Sequence, residues 1–243
     1  MGEHKAKTCD VCGKPVETDK AYLIGMSRER WTRCECDCER KKREASEAME
    51  RDRERERRRV RRTFPSDAYG AMAFNGAARS DVLVKAWRFA EGFELVRPTG
   101  CGLLLHGCSG GGKTFAATCI ANKVGRQTDK QGRYRYNVLF LSIPELCKPG
   151  RWDNDPTERI KSLDLLILDD MGAERGTEYA QDTLFRAVDA AYGAGVPMIV
   201  TTNCESFEGR TWSRVLDRCQ AVEVNGICRN GGGLETVREV IGA

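Results

Sequence analysis

Five short apolar runs recur through the C-terminal three quarters of the chain: GLLLHG (102–107), NVLFLSI (137–143), LDLLILDD (163–170), VPMIVTTN (196–203) and AVEV (221–224). They have strand length, and runs this apolar belong to strands covered on both faces. Between them, 113–124, 177–193 and 211–219 fit amphipathic helices, and VLVKAWRFAEGF ahead of the first run also shows helical spacing. Alternating strands and helices predict an α/β fold, a parallel sheet flanked by helices. There is no internal repeat.

The N-terminal quarter is built differently. From Glu39 to Arg62 the chain is almost wholly charged and has no Gly or Pro. Glu39 with Arg43, Glu47 with Arg51 and Glu54 with Arg58 place an acid four residues before a base, the favourable order on a helix surface. This predicts an exposed helix. Pro65 ends it, and small residues with turn signals across 63–81 predict a linker into a second domain. Residues 1–38 hold a cysteine cluster, turn-formers around CGKP and little with which to build a core. The expected organisation is therefore a small N-terminal domain (1–38), a charged helix (39–62), a linker (63–81) and the main α/β domain (82–243).

Charge sharpens this division. The net charge of +4 arises in the first 62 residues, which carry 19 Lys and Arg against 14 Asp and Glu; the remainder carries 21 against 22. An acidic partner such as nucleic acid would meet the N-terminal part. No apolar run approaches the roughly 18 residues of a membrane span, and MGEHKAKTCD lacks the apolar stretch of a signal peptide. The chain is expected to be cytoplasmic. In that compartment its 12 cysteines stay reduced, and clustered ones bind metal more often than they form disulfides. The seven scattered singly (Cys101, Cys108, Cys119, Cys147, Cys204, Cys219 and Cys228) are expected to be small buried hydrophobes.

The chemistry sits at the ends of the apolar runs. GCSGGGKT (Gly107, Cys108, Ser109, Gly110, Gly111, Gly112, Lys113, Thr114) follows the first run, opens a helix and continues into Phe115. Its spacing is that of a phosphate-binding loop, in which glycines let backbone N–H groups turn toward phosphate oxygens at a helix N-terminus. Lys113 would reach the β- and γ-phosphates and Thr114 would hold Mg2+. LLILDD supplies Asp169 as a second Mg2+ ligand and Asp170 to orient or deprotonate the attacking water. Asn203, ending IVTTN, could sense the γ-phosphate. Arg214 and Arg218 lie four apart on one helical face, and an arginine from a neighbouring subunit can stabilise charge on a transferring phosphate.

LLLHGCSGGGKT, DLLILDDMGAER with TEYAQDTLFRAVDAAY, VPMIVTTN and SRVLDR together resemble the AAA+ ATPase domain of bacterial and phage helicase loaders, the DnaC/DnaI group, which is close to the IstB transposition helpers. The resemblance covers roughly 64–225 and implies an AAA+ P-loop NTPase that binds and hydrolyses ATP with Mg2+. It assigns Lys113 and Thr114 to ATP and Mg2+, Asp169 and Asp170 to the Walker B pair, and Asn203 to sensor I. Arg218 becomes an arginine finger acting in trans, with Arg214 in support and Arg229 as the sensor II candidate. It also implies that the protein loads a DnaB-like hexameric helicase onto single-stranded DNA, gripping it through the N-terminal domain. Arg133, Arg135, Lys148, Arg151, Arg159 and Lys161, interleaved with Tyr134, Tyr136 and Trp152, suit DNA contact. A transposition helper ATPase and a non-enzymatic, zinc-dependent nucleic-acid-binding module are the alternative functions.

CDVC and CECDC offer Cys9, Cys12, Cys34, Cys36 and Cys38 to the four positions of a thiolate zinc site, which can fold a segment too small for its own core. An iron–sulfur cluster or redox-active thiols are the alternatives. If the segment is extended, its period of two puts the three late cysteines on one face, so spacing does not choose among them. CDCERKKRE resembles the C-x-C ending of the family's zinc segment, which implies Cys9, Cys12, Cys36 and Cys38, with Cys34 as the alternative ligand.

Overall fold

The computed structural model describes residues 8–14, 17–18, 32–33, 36–74, 80–148, 156–172 and 177–224. They divide into two compact units between Arg58 and Arg59.

In the first unit, β1 (Glu17–Thr18) pairs antiparallel with β2 (Thr32–Arg33). Helix α1 (Asp37–Thr63) follows, its last turn belonging to the second unit. Exposed ion pairs lace its surface, among them Glu47 with Arg51 at 3.6 Å, Glu54 with Arg58 at 3.1 Å and Arg43 with Glu47 at 3.0 Å. Each such pair contributes a few tenths of a kcal/mol, about 0.3–0.5, so composition and spacing together account for this helix. It stops at Thr63, two residues before Pro65.

The second unit opens with α2 (Asp67–Gly70), α3 (Asp81–Glu91), α4 (Phe93–Val96) and a 3-10 turn at Arg97–Thr99. Then come β3 (Gly102–Gly107), α5 (Lys113–Gly125), β4 (Val138–Ser142), α6 (Ile143–Leu146) and α7 (Thr157–Lys161). β5 (Leu165–Met171), α8 (Glu178–Ala194), β6 (Met198–Thr202), α9 (Arg210–Arg218) and β7 (Cys219–Val224) complete it. The five strands β3 to β7 form one parallel sheet in the order β4-β5-β6-β3-β7.

Successive strand residues enter opposite layers, as the period of two requires. Leu103, Leu105, Ile167 and Ile199 join Ala86, Phe89 and Ile120 of α3 and α5 on one face. Leu104, Leu166, Leu168 and Val200 join Leu184 and Val188 of α8 on the other. That double coverage explains the near-continuous apolar runs. Strand β6 lies between β3, which carries the Gly-rich loop, and β5, which carries the two aspartates, so Asn203 emerges between them.

The segment read as a linker contributes to this core. Phe64 is buried, and its ring lies 5.8 Å from that of Phe140, with Tyr69 5.1 Å from the same ring. The buried Arg59 donates to Asn122 Oδ1 at 2.9 Å, and Asn122 Nδ2 donates to the carbonyls of Tyr69 (2.7 Å) and Met72 (2.9 Å). Apolar anchors and a buried amide hold residues 63–74 on the helix that follows the Gly-rich loop. Among the described residues, no helix is long and apolar enough to cross a membrane.

Candidate active site and metal centre

Between β3 and α5 the chain takes a shape open only to glycine at two decisive points. Gly107 has φ +128°, and a Cβ there would meet the Val224 carbonyl oxygen at 2.7 Å; Gly112, with φ +88°, caps α5. The turn leaves Cys108, Ser109 and Gly110 exposed, with Gly111, Thr114 and Phe115 half-buried. Lys113, the first residue of α5, is only 7% exposed. Its Nζ donates to the carbonyls of Gly107 (2.9 Å) and Cys108 (2.6 Å) and to Asn203 Oδ1 (2.7 Å). The Asn203 amide in turn faces Asp170 Oδ1 at 3.4 Å. Lysine, asparagine and aspartate from three adjacent strand ends thus form one polar chain.

The two aspartates have different surroundings. Asp169 is buried and accepts from Thr201 Oγ1 at 2.7 Å. Burial pushes its carboxyl above the usual range, while the hydroxyls of Thr201 and then Thr114 pull the other way. Asp170 sits on an irregularity of β5, where pairing with β6 shifts between Leu168 and Met171. Its φ of +67° is the only positive value at a described non-glycine residue. The bulge turns consecutive side chains to different tasks, and aspartate tolerates the left-handed region better than most residues. The backbone N–H of Asp170 donates to the same Thr201 hydroxyl at 2.9 Å.

Thr201 and Tyr69 were missed from sequence. A buried hydroxyl in the otherwise apolar MIVTT strand was the available sign for Thr201. Burial, and next the negative charge of Asp169, raise the phenol of Tyr69, which stands in a segment read as a linker.

Arg218 lies elsewhere. It ends α9, one residue before Cys219, which pairs with Gly102 at the start of β3, and its Nη1 donates to the Thr99 carbonyl at 3.4 Å. The Gly-rich loop leaves the other end of β3, about 16 Å away at the rise of a strand. Arg218 cannot serve the site of its own chain. Arg214 donates to Asp189 Oδ1 at 2.6 Å and stacks 4.7 Å over Phe185. Arg229 and the DNA-contact candidates Arg151 and Trp152 lie outside the described residues.

The remaining DNA-contact candidates are engaged within the protein. Arg133 pairs with Asp129 (2.9 Å), Arg135 with Glu94 (2.7 Å) and Lys161 with Glu158 (2.6 Å), while Lys148 approaches Glu145 at 3.8 Å. Arg159 donates to the Arg62 carbonyl at 3.1 Å, and Tyr136 packs edge-on against Phe93 at 5.0 Å. Carboxylates already balance much of this charge. The scattered cysteines also differ from expectation: Cys119, Cys147 and Cys219 are buried, Cys204 is half-buried, and Cys101 and Cys108 are exposed. Cys228 lies outside the described residues.

In the first unit, the sulfurs of Cys9, Cys12, Cys36 and Cys38 all lie within 4.8 Å of one another. A turn closed by Cys9 N–H to Lys14 O (2.8 Å) and Gly13 N–H to Cys9 O (2.9 Å) presents the first pair. The second pair converges by helix entry, unlike the extended geometry considered from sequence. Cys36 immediately precedes α1, its sulfur accepting from the Glu39 N–H at 3.4 Å in the manner of an N-cap, and Cys38 lies in the first turn. The N–H groups of Cys12 and Val11 bring the Cys9 thiol down to about 7. Tetrahedral zinc with sulfur at about 2.3 Å needs sulfurs about 3.8 Å apart, which a small contraction of this cluster supplies. Cys34 lies outside the described residues.

A parallel sheet in this order, a Gly-rich loop with its lysine, and an acidic strand end two strands away define an AAA+ P-loop NTPase fold. A family model of the IstB-like ATP binding protein matches residues 91–223, more than half of the chain, and the chain belongs to that family. It is 32% identical over 95 residues to the replicative helicase loader DnaI of Bacillus subtilis (strain 168), a match covering 37% of this chain and 28% of that protein. The chain therefore spans less than a third of that curated relative. A crystal structure of DnaI superposes with a TM-score of 0.53 at 24% identity, covering 67% of this chain and 96% of that one. For a crystal structure of the DnaC helicase loader the values are 0.51, 18%, 66% and 100%. These likenesses bear out the expected AAA+ fold and the resemblance to the helicase-loader and IstB-like group.

Proposed function

We propose that this protein hydrolyses ATP and loads a hexameric replicative helicase onto single-stranded DNA. The observation that carries the ATPase reading is the polar chain from Lys113 through Asn203 to Asp170, beside the buried Asp169. Residues 107–115 would hold the nucleotide, with Lys113 on the β- and γ-phosphates. Thr114 and Asp169 would hold Mg2+, which supplies charge neutralisation at the phosphates when bound. Asp170 orients or deprotonates the attacking water, Asn203 links it to the phosphate end of the site, and Arg218 acts on the site of a second copy. Cys9, Cys12, Cys36 and Cys38 would hold structural zinc, and the small unit they fold would be the grip on the helicase. Work in the cytoplasm fits this assignment.

The helicase-loading part is supported by the match to DnaI. Its test is to mix the purified protein with the replicative helicase of its host, with and without ATP. A complex is expected; none under either condition refutes the reading. Lys113→Ala should weaken nucleotide binding in the same preparation.

The family match favours a second reading, a transposition helper whose partner is a transposase on double-stranded DNA. A pull-down from host lysate separates the two: recovery of helicase supports the first and recovery of transposase the second.

A further inference from the structure

Helices α8 and α9 meet through alternating aromatic rings and guanidinium groups. Phe185 and Tyr192, seven apart on α8, face Arg210, Arg214 and Arg218, four apart on α9, as helical periodicity dictates. Arg210 stacks 4.0 Å over Phe185, Arg214 lies 4.7 Å from Phe185 and 5.8 Å from Tyr192, and Arg218 lies 4.9 Å over Tyr192.

The three cations are not equally engaged. Arg214 is paired with Asp189 at 2.6 Å. Arg218 is held more loosely: its Nη1 reaches the Thr99 carbonyl at 3.4 Å, and its Nε, buried without a hydrogen-bond partner, forms only a long ion pair with Asp217 Oδ2 at 3.7 Å. That same Oδ2 accepts the Tyr192 hydroxyl at 2.9 Å. The phenol thus orients the carboxylate whose oxygen stands nearest the guanidinium, while its ring supports the guanidinium from one side.

We propose that Tyr192 is a positioning residue for Arg218: by holding Asp217, it keeps their 3.7 Å ion pair from closing to hydrogen-bond distance and leaves Arg218 for the phosphates of a nucleotide bound to a second copy of the chain. This rests on the trans-arginine reading above. An arginine closed onto its neighbouring carboxylate would be neutralised and turned away from an incoming phosphate. Phe185 at the equivalent place one rung earlier has no hydroxyl, and Arg214 beside it is held by a carboxylate.

The test uses full-length chains in two roles. Acceptor chains carry Arg218→Ala and keep their own nucleotide site; donor chains carry Lys113→Ala and keep Arg218. Mixing should restore ATP turnover that neither chain shows alone. If donors restore nothing, the trans-arginine reading falls and this inference with it. Given restoration, adding Tyr192→Phe to the donor should cut the restored turnover about tenfold, a small part of the roughly 10³–10⁵-fold an arginine finger contributes. Adding Asp217→Asn to that donor should bring it back. Full turnover with Tyr192→Phe, or no recovery in the double variant, overturns the proposal. A merely structural role for Tyr192 would not be rescued by removing a charge next to Arg218.

Discussion

Asp170 carries two separable properties, a carboxylate facing Asn203 and a left-handed backbone, and two substitutions pull them apart. Asparagine tolerates φ +67° about as well as aspartate, so Asp170→Asn should remove the charge and leave the fold intact. Alanine lacks that tolerance, and Asp170→Ala should cost about 1 kcal/mol, which for a unit of this size lowers Tm by roughly 2–4 °C. Catalytically both would lose the carboxylate proposed to orient or deprotonate water, a contribution of about 10²–10⁴-fold, or about 3–5 kcal/mol at 1.36 kcal/mol per decade. ATP turnover at saturating nucleotide and thermal melting of the nucleotide-free protein are the paired assays. Both variants should bind ATP and turn it over at a hundredth of the native rate or less, with only the alanine variant melting early. Full turnover by Asp170→Asn refutes the role of the carboxylate. Equal melting of the two variants refutes the backbone argument.

Thr201→Val removes one hydroxyl from both Asp169 and the Asp170 N–H and should cost about 1–3 kcal/mol. Since that hydroxyl opposes the upward push of burial on Asp169, the acid limb of the pH–rate profile should move to higher pH; an unmoved limb counts against the assignment. Asp169→Asn keeps an acceptor for Thr201 while deleting a carboxylate whose folded pKa is raised. A raised carboxyl gives stability at low pH that is lost as pH rises through its folded value, so the ionised form is a cost near neutrality. The variant should therefore melt higher than the native protein near pH 7 in the absence of nucleotide, converge with it in acid, and lose Mg2+-dependent turnover; a lower Tm near pH 7 contradicts this. Metal analysis should find about one zinc per chain in the native protein and in Cys34→Ser, and a marked loss in Cys38→Ser. Iron in place of zinc, or retention after Cys38→Ser, rejects the four-thiolate zinc assignment.

Chain-local features were legible in the sequence. GCSGGGKT and LLILDD each bring their chemistry together within a few residues, and apolar runs alternating with helical stretches announced a covered parallel sheet. The charged helix was legible because its stabilising pairs are four residues apart. What escaped depends on distant segments meeting. Thr201 reads as an ordinary strand threonine until β5 is laid beside β6, and Tyr69 as a linker residue until Asn122 pins its backbone to α5. Spacing left five cysteines for four positions; the turn at Cys9 and the start of α1 at Asp37 bring Cys9, Cys12, Cys36 and Cys38 together.

The placement of charge also bears on why turnover would depend on assembly. One chain joins Lys113, Asn203 and Asp170 at the carboxyl ends of its strands and keeps Arg218 at the opposite end of β3, a strand length away. On the proposed trans-arginine reading, a second cation at the γ-phosphate would then come from another copy. The guanidinium that would be delivered is that of Arg218, whose Nε stands 3.7 Å from Asp217, whereas Arg214 is held by Asp189 at 2.6 Å. Binding and turnover would thus answer to different parts of the molecule. On the same proposed reading, one chain would hold nucleotide and rapid hydrolysis would need two chains in register, so the ATP state of each site would report whether its neighbour is in place.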